Sequence, residues 1–296
     1  MKYRFRRRLL YTLLLFLDSL FLLIPYSLAL RIGRSFGILC YILLGKNRRI
    51  TKKHLRFAFA DEKSENEISD IARSVFINLG MSFAEILSLP KIKGRLNKII
   101  GVKGLEKFDD VLKKGKGVIA ITAHLGNWEL IPMYFASMGY AANVVARRVY
   151  YEKYDEWTSY LRSNMGVNVI YRSDSPKRLL NLLKNNELVG IVPDQDVDSI
   201  DGIFVDFFGK KTYTPSAPVK LAIAADTTII PLFIVRDNGK HTIYVDEPFM
   251  VERDSDKESA VLKYTQKWSD IVESYIRKYP GQWVWMHRRW KTRPGS

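Results

Sequence analysis

Short aliphatic runs alternate with amphipathic helical segments along the chain after residue 60. The strand-like runs cover residues 118–122, 143–146, 167–170, 188–192, 228–235 and 242–245. The helical segments lie near residues 126–138, 151–164, 176–185 and 215–225. Because strands connected through helices run parallel, this order predicts an α/β fold with a mostly parallel central sheet flanked by helices.

Two local patterns mark the beginning and the end of this alternation. Ser64 and Glu67 form a capping box before an apolar 3-4 spacing that reaches Ile86, which predicts an amphipathic helix of about twenty residues. Asn238-Gly239, between the last two strand-like runs, is typical of a tight hairpin turn. The last two strands are therefore expected to be antiparallel.

The N-terminus combines positive charge with an apolar run. Five cations lie within residues 1–8, and the following run over residues 9–30 is long enough to cross a bilayer. Asp18 and Pro25 interrupt that run and make it a poor spanning helix. A secretory signal cleaved after Ala29 and a buried core helix are the alternatives to a membrane anchor.

A second apolar stretch, residues 36–44, precedes another basic cluster at residues 46–53. Because positive charge lies on both sides of the apolar segments, a span, an in-plane anchor and a re-entrant hairpin all remain open. We expect residues 1–56 to form a basic and hydrophobic helical segment that anchors the chain in a membrane. Residues 57–296 are expected to form the α/β domain.

The charge of the chain favours anionic partners. Lys and Arg number 47 and Asp and Glu 31, which gives a net charge of +16 over 296 residues. Such a charge favours nucleic acid, an anionic membrane surface or acidic substrates. The single Cys40 excludes an intrachain disulfide and a zinc site of several thiolates, which fits a reducing compartment.

The candidate chemistry centres on His124, which follows the strand-like run 118–122 and precedes Glu129 by five residues. Ligand sites in α/β folds lie at the carboxyl ends of such strands. With the histidine on a turn and the glutamate on the first turn of the next helix, the carboxylate could orient one imidazole nitrogen and leave the other as general base. A structural histidine at a helix start is the alternative. His241 and Asp246 share the spacing, but an extended segment places them on opposite faces.

The block Ala123-His124-Leu125-Gly126-Asn127-Trp128-Glu129 resembles the His-x4-acid block of the glycerolipid acyltransferase superfamily. It is most similar to the bacterial lipid A biosynthesis branch, the lauroyl and myristoyl acyltransferases. Further blocks of the branch follow in order over nearly the whole chain, at Arg147 and at residues 160–164, 193–196, 205–209, 230–231 and 280–294. The Glu-Gly-Thr-Arg block of glycerol-3-phosphate acyltransferases is missing, which disfavours glycerolipid substrates.

The resemblance implies transfer of a fatty acyl chain from an acyl thioester, usually on acyl carrier protein, to a hydroxyl of a phosphorylated lipid A precursor. The site would lie at the cytoplasmic face of the inner membrane. His124 and Glu129 would form the catalytic dyad, and direct attack on the thioester would need no acyl-enzyme. Thioester transfer needs no Lewis acid, so no metal and no cofactor is expected. The expected substrate-binding residues are Arg147, Arg162, Asp194, Asn127 and Gly126.

Individual roles also follow from the resemblance. Arg147 and Arg162 would face phosphate or developing negative charge, and Asp194 would hold an arginine or the acceptor. Backbone N–H groups near Gly126, or an arginine, would stabilise the oxyanion. His287 is expected to pack or to face phosphate. The tail is expected to lie at a membrane interface, through Trp283, Trp285, Trp290, Arg288, Arg289, Lys291 and Arg293.

Three other functions remain open on the sequence. An acyltransferase of another glycolipid, such as a phosphatidylinositol mannoside, would keep the fold and change the acceptor. A thioesterase or lipase would use the same base on water. A basic membrane-binding or nucleic-acid-binding module without chemistry belongs to a different class. We expect membrane, carrier protein and glycolipid as partners, and no nucleic acid.

Overall fold

The computed structural model describes residues 2–197, 199–252 and 256–295, with the backbone alone for residues 2–5. Within these ranges the helices are α1 (Lys2–Leu23), α2 (Tyr26–Leu43), α3 (Gly45–Phe59), α4 (Glu65–Leu87), α5 (Leu89–Ile92), α6 (Leu96–Ile99), α7 (Leu105–Leu112), α8 (Leu130–Ser137), α9 (Glu152–Asn164), α10 (Pro176–Lys184), α11 (Ala217–Ala225) and α12 (Lys257–Lys278). The strands are β1 (Ile100–Lys103), β2 (Val118–Ile121), β3 (Ala142–Ala146), β4 (Val167–Tyr171), β5 (Leu188–Ile191), β6 (Gly202–Phe207), β7 (Lys210–Pro215), β8 (Thr228–Asp237), β9 (Lys240–Val245) and β10 (Phe249–Met250).

The central sheet has the strand order β1-β9-β8-β2-β5-β3-β4, and β10 pairs with β8. The five neighbouring strands from β8 to β4 all run parallel, as the alternation of strands and helices predicted. β9 is antiparallel to β8, as the Asn238-Gly239 turn predicted, and both turn residues have positive φ. β6 and β7 form a separate antiparallel hairpin. The fold is therefore α/β with a mostly parallel sheet.

Both faces of the sheet are covered, because alternate side chains of each strand point to opposite sides. Ile119 and Ile121 of β2 join a core that includes Trp268 of α12 and residues of α4 and α11. Val118 and Ala120 of the same strand join a second core with α7 and α8. Near-continuous burial of β2 and β8 is what a parallel sheet covered on both faces requires.

The helix α4 begins as the capping box predicted. The Ser64 hydroxyl accepts a hydrogen bond from the Glu67 N–H, and the Glu67 carboxylate accepts one from the Ser64 N–H. The apolar stripe of α4 enters the core together with three polar residues at helical spacing, Asn78, Ser82 and Glu85, all of which are buried. These polar residues reach the site described below.

The N-terminal helices pack on the domain and expose much apolar surface. α2 crosses α4 at backbone contact distance, because a Cβ added at Gly33, Gly37 or Gly80 would lie within 2.6 Å of a backbone oxygen on the facing helix. The outer faces of α1 and α2 expose large apolar side chains, among them Leu9, Leu13, Phe16, Leu20, Leu23, Ile32, Phe36, Leu39, Ile42 and Leu43.

Within the described residues, α2 alone is by itself long and apolar enough to cross a membrane. The bent helix pair from α4 to α6 also has that length and composition. The division of the chain at residue 56 remains a prediction. α3 continues across that position, and its buried Leu55 and Phe59 belong to the core of the α/β domain.

Candidate active site

A cavity of about 720 Å³ opens at the carboxyl edge of the parallel strands. Its size is that of an ordinary small-molecule or lipid site. His124 follows β2, and Gln195 follows β5 at the same edge. Apolar side chains line much of the wall, among them Ile131, Leu179, Leu180, Leu221 and Leu232. The imidazole of His124 therefore lines an apolar cavity at the sheet edge where α/β folds place their sites.

Asp194 holds the imidazole of His124. His124 Nδ1 lies 2.6 Å from Asp194 Oδ1, and the His124 backbone N–H donates to Asp194 Oδ2 at 2.8 Å. The indole N–H of Trp283 donates to the same Oδ2 at 2.8 Å. Asp194 is buried, which by itself would raise its pKa, but His124 and the Trp283 donor hold that pKa well below its usual value. The ionised carboxylate fixes Nδ1 as the protonated nitrogen and leaves Nε2 as acceptor.

The charges around His124 stabilise the imidazolium that forms when Nε2 takes a proton. Burial opposes the charge, but the Asp194 carboxylate, with a smaller contribution from Glu129, raises the pKa of His124 above its ordinary value. An imidazole with a raised pKa is a stronger base at its free nitrogen. His124 is thus equipped to take a proton at Nε2.

The sequence-based prediction that Glu129 orients His124 is wrong in its geometry. Glu129 lies at the N-cap of α8, because this helix begins at residue 130 and not near 126. Its carboxylate accepts both hydrogen bonds of a bidentate pair, from Arg162 Nε at 2.9 Å and from Arg162 Nη2 at 2.7 Å. Burial would raise the pKa of Glu129, but Arg162 lowers it below the usual value. His124, Glu129 and Arg162 all line the cavity.

Gln195 contacts the other nitrogen of His124 and bridges it to His287. The Gln195 side-chain amide donates to His124 Nε2 at 3.0 Å and to His287 Nε2 at 3.1 Å. The two imidazole rings are 5.0 Å apart. Burial and the neighbouring His124 lower the pKa of His287 to about 4, so His287 is neutral near pH 7 and can accept this bond. His287 thus packs beside the site, as expected, but next to the candidate base.

The turn after His124 is fixed by contacts with residues of the core. Gly126 has φ +63°, and a Cβ at this position would lie 2.1 Å from the Ile234 carbonyl oxygen. The Gly126 N–H donates to the Gln282 carbonyl at 3.0 Å, so it is not available to an oxyanion. The buried Asn127 donates to Glu85 Oε2 at 2.7 Å. Gly126 and Asn127 are buried and are not among the residues that line the cavity, so their role in substrate binding stays a prediction.

A buried polar cluster centred on Glu85 supports that turn. The carboxylate forms a bidentate pair with Arg236, accepts from Tyr26 at 3.0 Å and lies 2.8 Å from His241 Nε2. Burial alone would raise the pKa of Glu85, but His241 and Arg236 lower it far below the usual value. His241 is structural, as predicted. Neither Glu85 nor Arg236 was predicted, although the polar spacing of Asn78, Ser82 and Glu85 on an amphipathic helix was visible in the sequence.

The predicted membrane interface of the tail is wrong for its central residues. Trp283 and Trp285 are buried and pack in the core, with Trp283 on Phe207. Arg289 is fully buried and donates to the Tyr213 carbonyl and to Thr214 Oγ1, each at 2.7 Å. Burial lowers the pKa of Arg289 to about 10. The tail therefore closes over the site and does not face lipid at these positions.

A family model for bacterial lipid A biosynthesis acyltransferases matches residues 1–292. The chain belongs to this family. It is 26% identical over 277 residues to the lipid A biosynthesis palmitoleoyltransferase of Escherichia coli K12, covering 92% of this chain and 87% of that protein. It is 26% identical to the lipid A biosynthesis lauroyltransferase of the same strain, covering 92% and 88%. The phosphatidylinositol mannoside acyltransferase of Mycobacterium tuberculosis H37Rv is 27% identical, covering 71% and 67%.

Membership in the lipid A acyltransferase family confirms the resemblance recognised in the sequence and makes the protein an acyltransferase. The remaining predicted site residues lie as follows. Arg147 is exposed at the rim of the cavity, and Arg162 lies on its wall. Among the described residues, the hydrogen-bond partners of Asp194 are His124 and Trp283, and neither is an arginine. Asp196, further along the same loop, accepts from the Thr292 N–H and hydroxyl.

Proposed function

We propose that this acyltransferase moves a fatty acyl chain from an acyl thioester, carried by acyl carrier protein, to a hydroxyl of a phosphorylated lipid A precursor. The supporting observation is the His124–Asp194 pair, whose imidazole lines a largely apolar cavity. The cavity suits an acyl chain, and the pair suits removal of a proton from a hydroxyl. Family membership supports an acyl donor and a glycolipid acceptor.

The proposed reaction needs one proton carrier. The acceptor hydroxyl replaces the Gln195 amide at His124 Nε2 and gives its proton to that nitrogen while its oxygen attacks the thioester carbonyl carbon. The tetrahedral intermediate collapses, the carbon–sulfur bond breaks, and the leaving sulfur takes the proton from His124. The products are an ester and a free thiol. Among the described residues, no serine or cysteine is hydrogen-bonded to His124, which favours direct attack over an acyl-enzyme.

Asp194 and Glu129 have different roles in this proposal. Asp194 is a positioning residue that keeps Nε2 unprotonated and aimed at the acceptor. Glu129 fixes the Arg162 guanidinium on the cavity wall through two hydrogen bonds. A guanidinium held there adds positive charge for the oxyanion of the tetrahedral intermediate. Glu129 would thus contribute to catalysis through Arg162.

We further propose that the chain is anchored in the inner membrane, with its catalytic domain on the cytoplasmic face. The exposed apolar faces of α1 and α2 support this anchoring. Flotation of the full chain with vesicles of phosphatidylethanolamine and phosphatidylglycerol tests the membrane contact. Protease access in spheroplasts, compared with inverted vesicles, tests the orientation.

The deciding experiment is mass spectrometry of lipids after incubation with the pure protein. The substrates are acyl carrier protein thioester and a tetra-acylated, bis-phosphorylated glucosamine disaccharide. We expect a mass increase of one acyl chain, and its loss in His124→Ala. Unchanged turnover by His124→Ala would overturn the mechanism. Free fatty acid formed without acceptor would indicate a thioesterase. A parallel incubation with acyl coenzyme A in place of the carrier protein thioester identifies the donor.

A second candidate acceptor is a phosphatidylinositol mannoside. The similarity to the Mycobacterium tuberculosis enzyme named for that acceptor is the reason to test it. The same incubation with phosphatidylinositol mannosides distinguishes the two. A mass increase on the mannoside and none on the disaccharide would replace the first acceptor by the second.

A further inference from the structure

Two arginines lie side by side at the rim of the cavity. β3 and β4 are parallel, with Ala146 in register with Tyr171, and each strand ends at that residue. The next residues are Arg147 and Arg172, and the Arg172 N–H donates to the Ala146 carbonyl at 2.9 Å. Both side chains line the cavity. The strand register therefore brings two guanidinium groups to one point of the carboxyl edge.

The described acids near the two guanidinium groups are paired with other residues. Within the part of the chain that the structure describes, no Asp or Glu forms a salt bridge with Arg147 or Arg172. The two nearby cavity acids are engaged elsewhere. Asp155 accepts from the Tyr171 hydroxyl and the Val149 N–H, at 2.7 and 2.8 Å.

The second acid, Asp174, forms a salt bridge with Arg178 at 2.8 Å. Partial burial, together with the charge of Arg147, lowers the pKa of Arg172. Arg148 lies over the Tyr171 ring at 3.9 Å and forms a salt bridge with Asp155 at 3.8 Å, so it helps to occupy that carboxylate. Uncompensated positive charge on a cavity rim favours an anionic ligand.

We propose that Arg147 and Arg172 together bind a phosphate group of a substrate. Two forked guanidinium groups match the several oxygens of a phosphate. Along the sheet edge, β3 and β4 are two and three strands from β2, so the pair lies roughly 10–14 Å from His124 at a strand spacing of about 4.8 Å. A phosphate bound there would hold its molecule with a reacting group near His124. This assignment rests on the proposed function, because the phosphate belongs to the acyl donor or to the acceptor.

The test uses the full chain in detergent and the variants Arg147→Gln, Arg172→Gln and the double variant. Lys177→Gln is the matched control, since it removes one exposed cation of the same region that does not line the cavity. Binding of inorganic pyrophosphate is measured by calorimetry, and KM is measured separately for donor and acceptor. We expect the double variant to lose pyrophosphate affinity at least about tenfold and to raise one KM by a similar factor, at little cost in kcat.

The two KM values identify the source of the phosphate. A higher KM for the acyl carrier protein thioester assigns the site to the phosphodiester of the donor, and a higher KM for the disaccharide assigns it to the acceptor. Unchanged KM values in the double variant, or an equal loss in Lys177→Gln, would overturn the proposal. A protein that binds pyrophosphate through this pair but transfers no acyl chain would contradict the proposed function and leave the phosphate site standing.

Discussion

Nδ1 of His124 lies 2.6 Å from Oδ1 of Asp194, a residue 70 positions further along the chain. The two residues follow β2 and β5, which are adjacent and parallel in the sheet. The same aspartate also receives the His124 backbone N–H, so one carboxylate fixes both the turn and the ring. The acid nearest in sequence, Glu129, is engaged with Arg162.

Asp194→Asn should lower kcat by about a hundredfold or more, because the tautomer and orientation of His124 are lost. Since Asp194 raises the pKa of His124, the acidic limb of the pH profile of kcat/KM should move to lower pH in the variant. Rates measured from pH 5 to pH 9 test this. Asp196→Asn, on the same loop, is the control and should leave the limb in place. A limb that does not move in Asp194→Asn would contradict the assigned role.

Glu129→Gln should destabilise the protein by about 2 kcal/mol, because it leaves the partly buried Arg162 without its anionic partner. Arg162→Gln should have a similar cost. The double variant should be less destabilised than the sum of the two, since neither charge is then left unpaired. Chemical unfolding of the three variants measures this coupling. Additive effects would show that the pair does not act as a unit.

Glu85→Gln should lower the stability by about 3 kcal/mol or more, because Arg236 is left as an unpaired buried charge. The folded pKa of Glu85 is lowered, so its contribution is present above the unfolded pKa of about 4.3 and is lost as pH falls toward the folded value. The difference in Tm between wild type and variant should therefore narrow in acid.

Glu65→Gln is the control for Glu85→Gln. It removes an equal charge from an exposed salt bridge with Arg56 and should leave Tm unchanged. Equal effects of the two substitutions on Tm would contradict the importance of the buried cluster.

Gly126→Ala should unfold or strongly impair the protein, because the added Cβ meets the Ile234 carbonyl and the backbone has positive φ. Gly115→Ala measures the cost of the positive φ alone. Gly115 has φ +72° but open space around it, so the control should cost only about 1 kcal/mol. Tm and acyl transfer of both variants provide the comparison. A Gly126→Ala protein with the stability of Gly115→Ala would contradict the close packing of the turn.

The parallel order of the sheet was predictable because short apolar runs and helical periods alternate along the chain. The position of His124 followed from the same pattern, since a residue after a buried strand lies at the carboxyl edge. The extra strands β1, β6, β7 and β10 were missed, because they are short or carry mixed polar residues. α8 begins later than predicted, because the turn before it is held by long-range bonds from Gln282 and Glu85.

The partners of His124 could not be read from spacing along the chain. Asp194, Gln195 and His287 reach it through the order of strands and through the C-terminal tail, which pairs with the turn at Leu125. Sequence distance carries no information about such contacts. The tail was misjudged for the same reason, since its aromatic and basic residues suit a membrane interface as well as a core. The burial of Trp283, Trp285 and Arg289 shows that these residues belong to the core.

The glycine crossing between α2 and α4 couples the N-terminal helices to the candidate active site. α4 carries Asn78, Ser82 and Glu85, which hold the turn after His124, and its backbone touches α2 directly. Removing the first two helices would therefore strip the support from a side of α4 and expose its backbone to water. In the membrane-anchored form that we propose, a tilt imposed on α2 by a bilayer of different thickness would be transmitted through α4 to His124, and turnover would then depend on lipid composition.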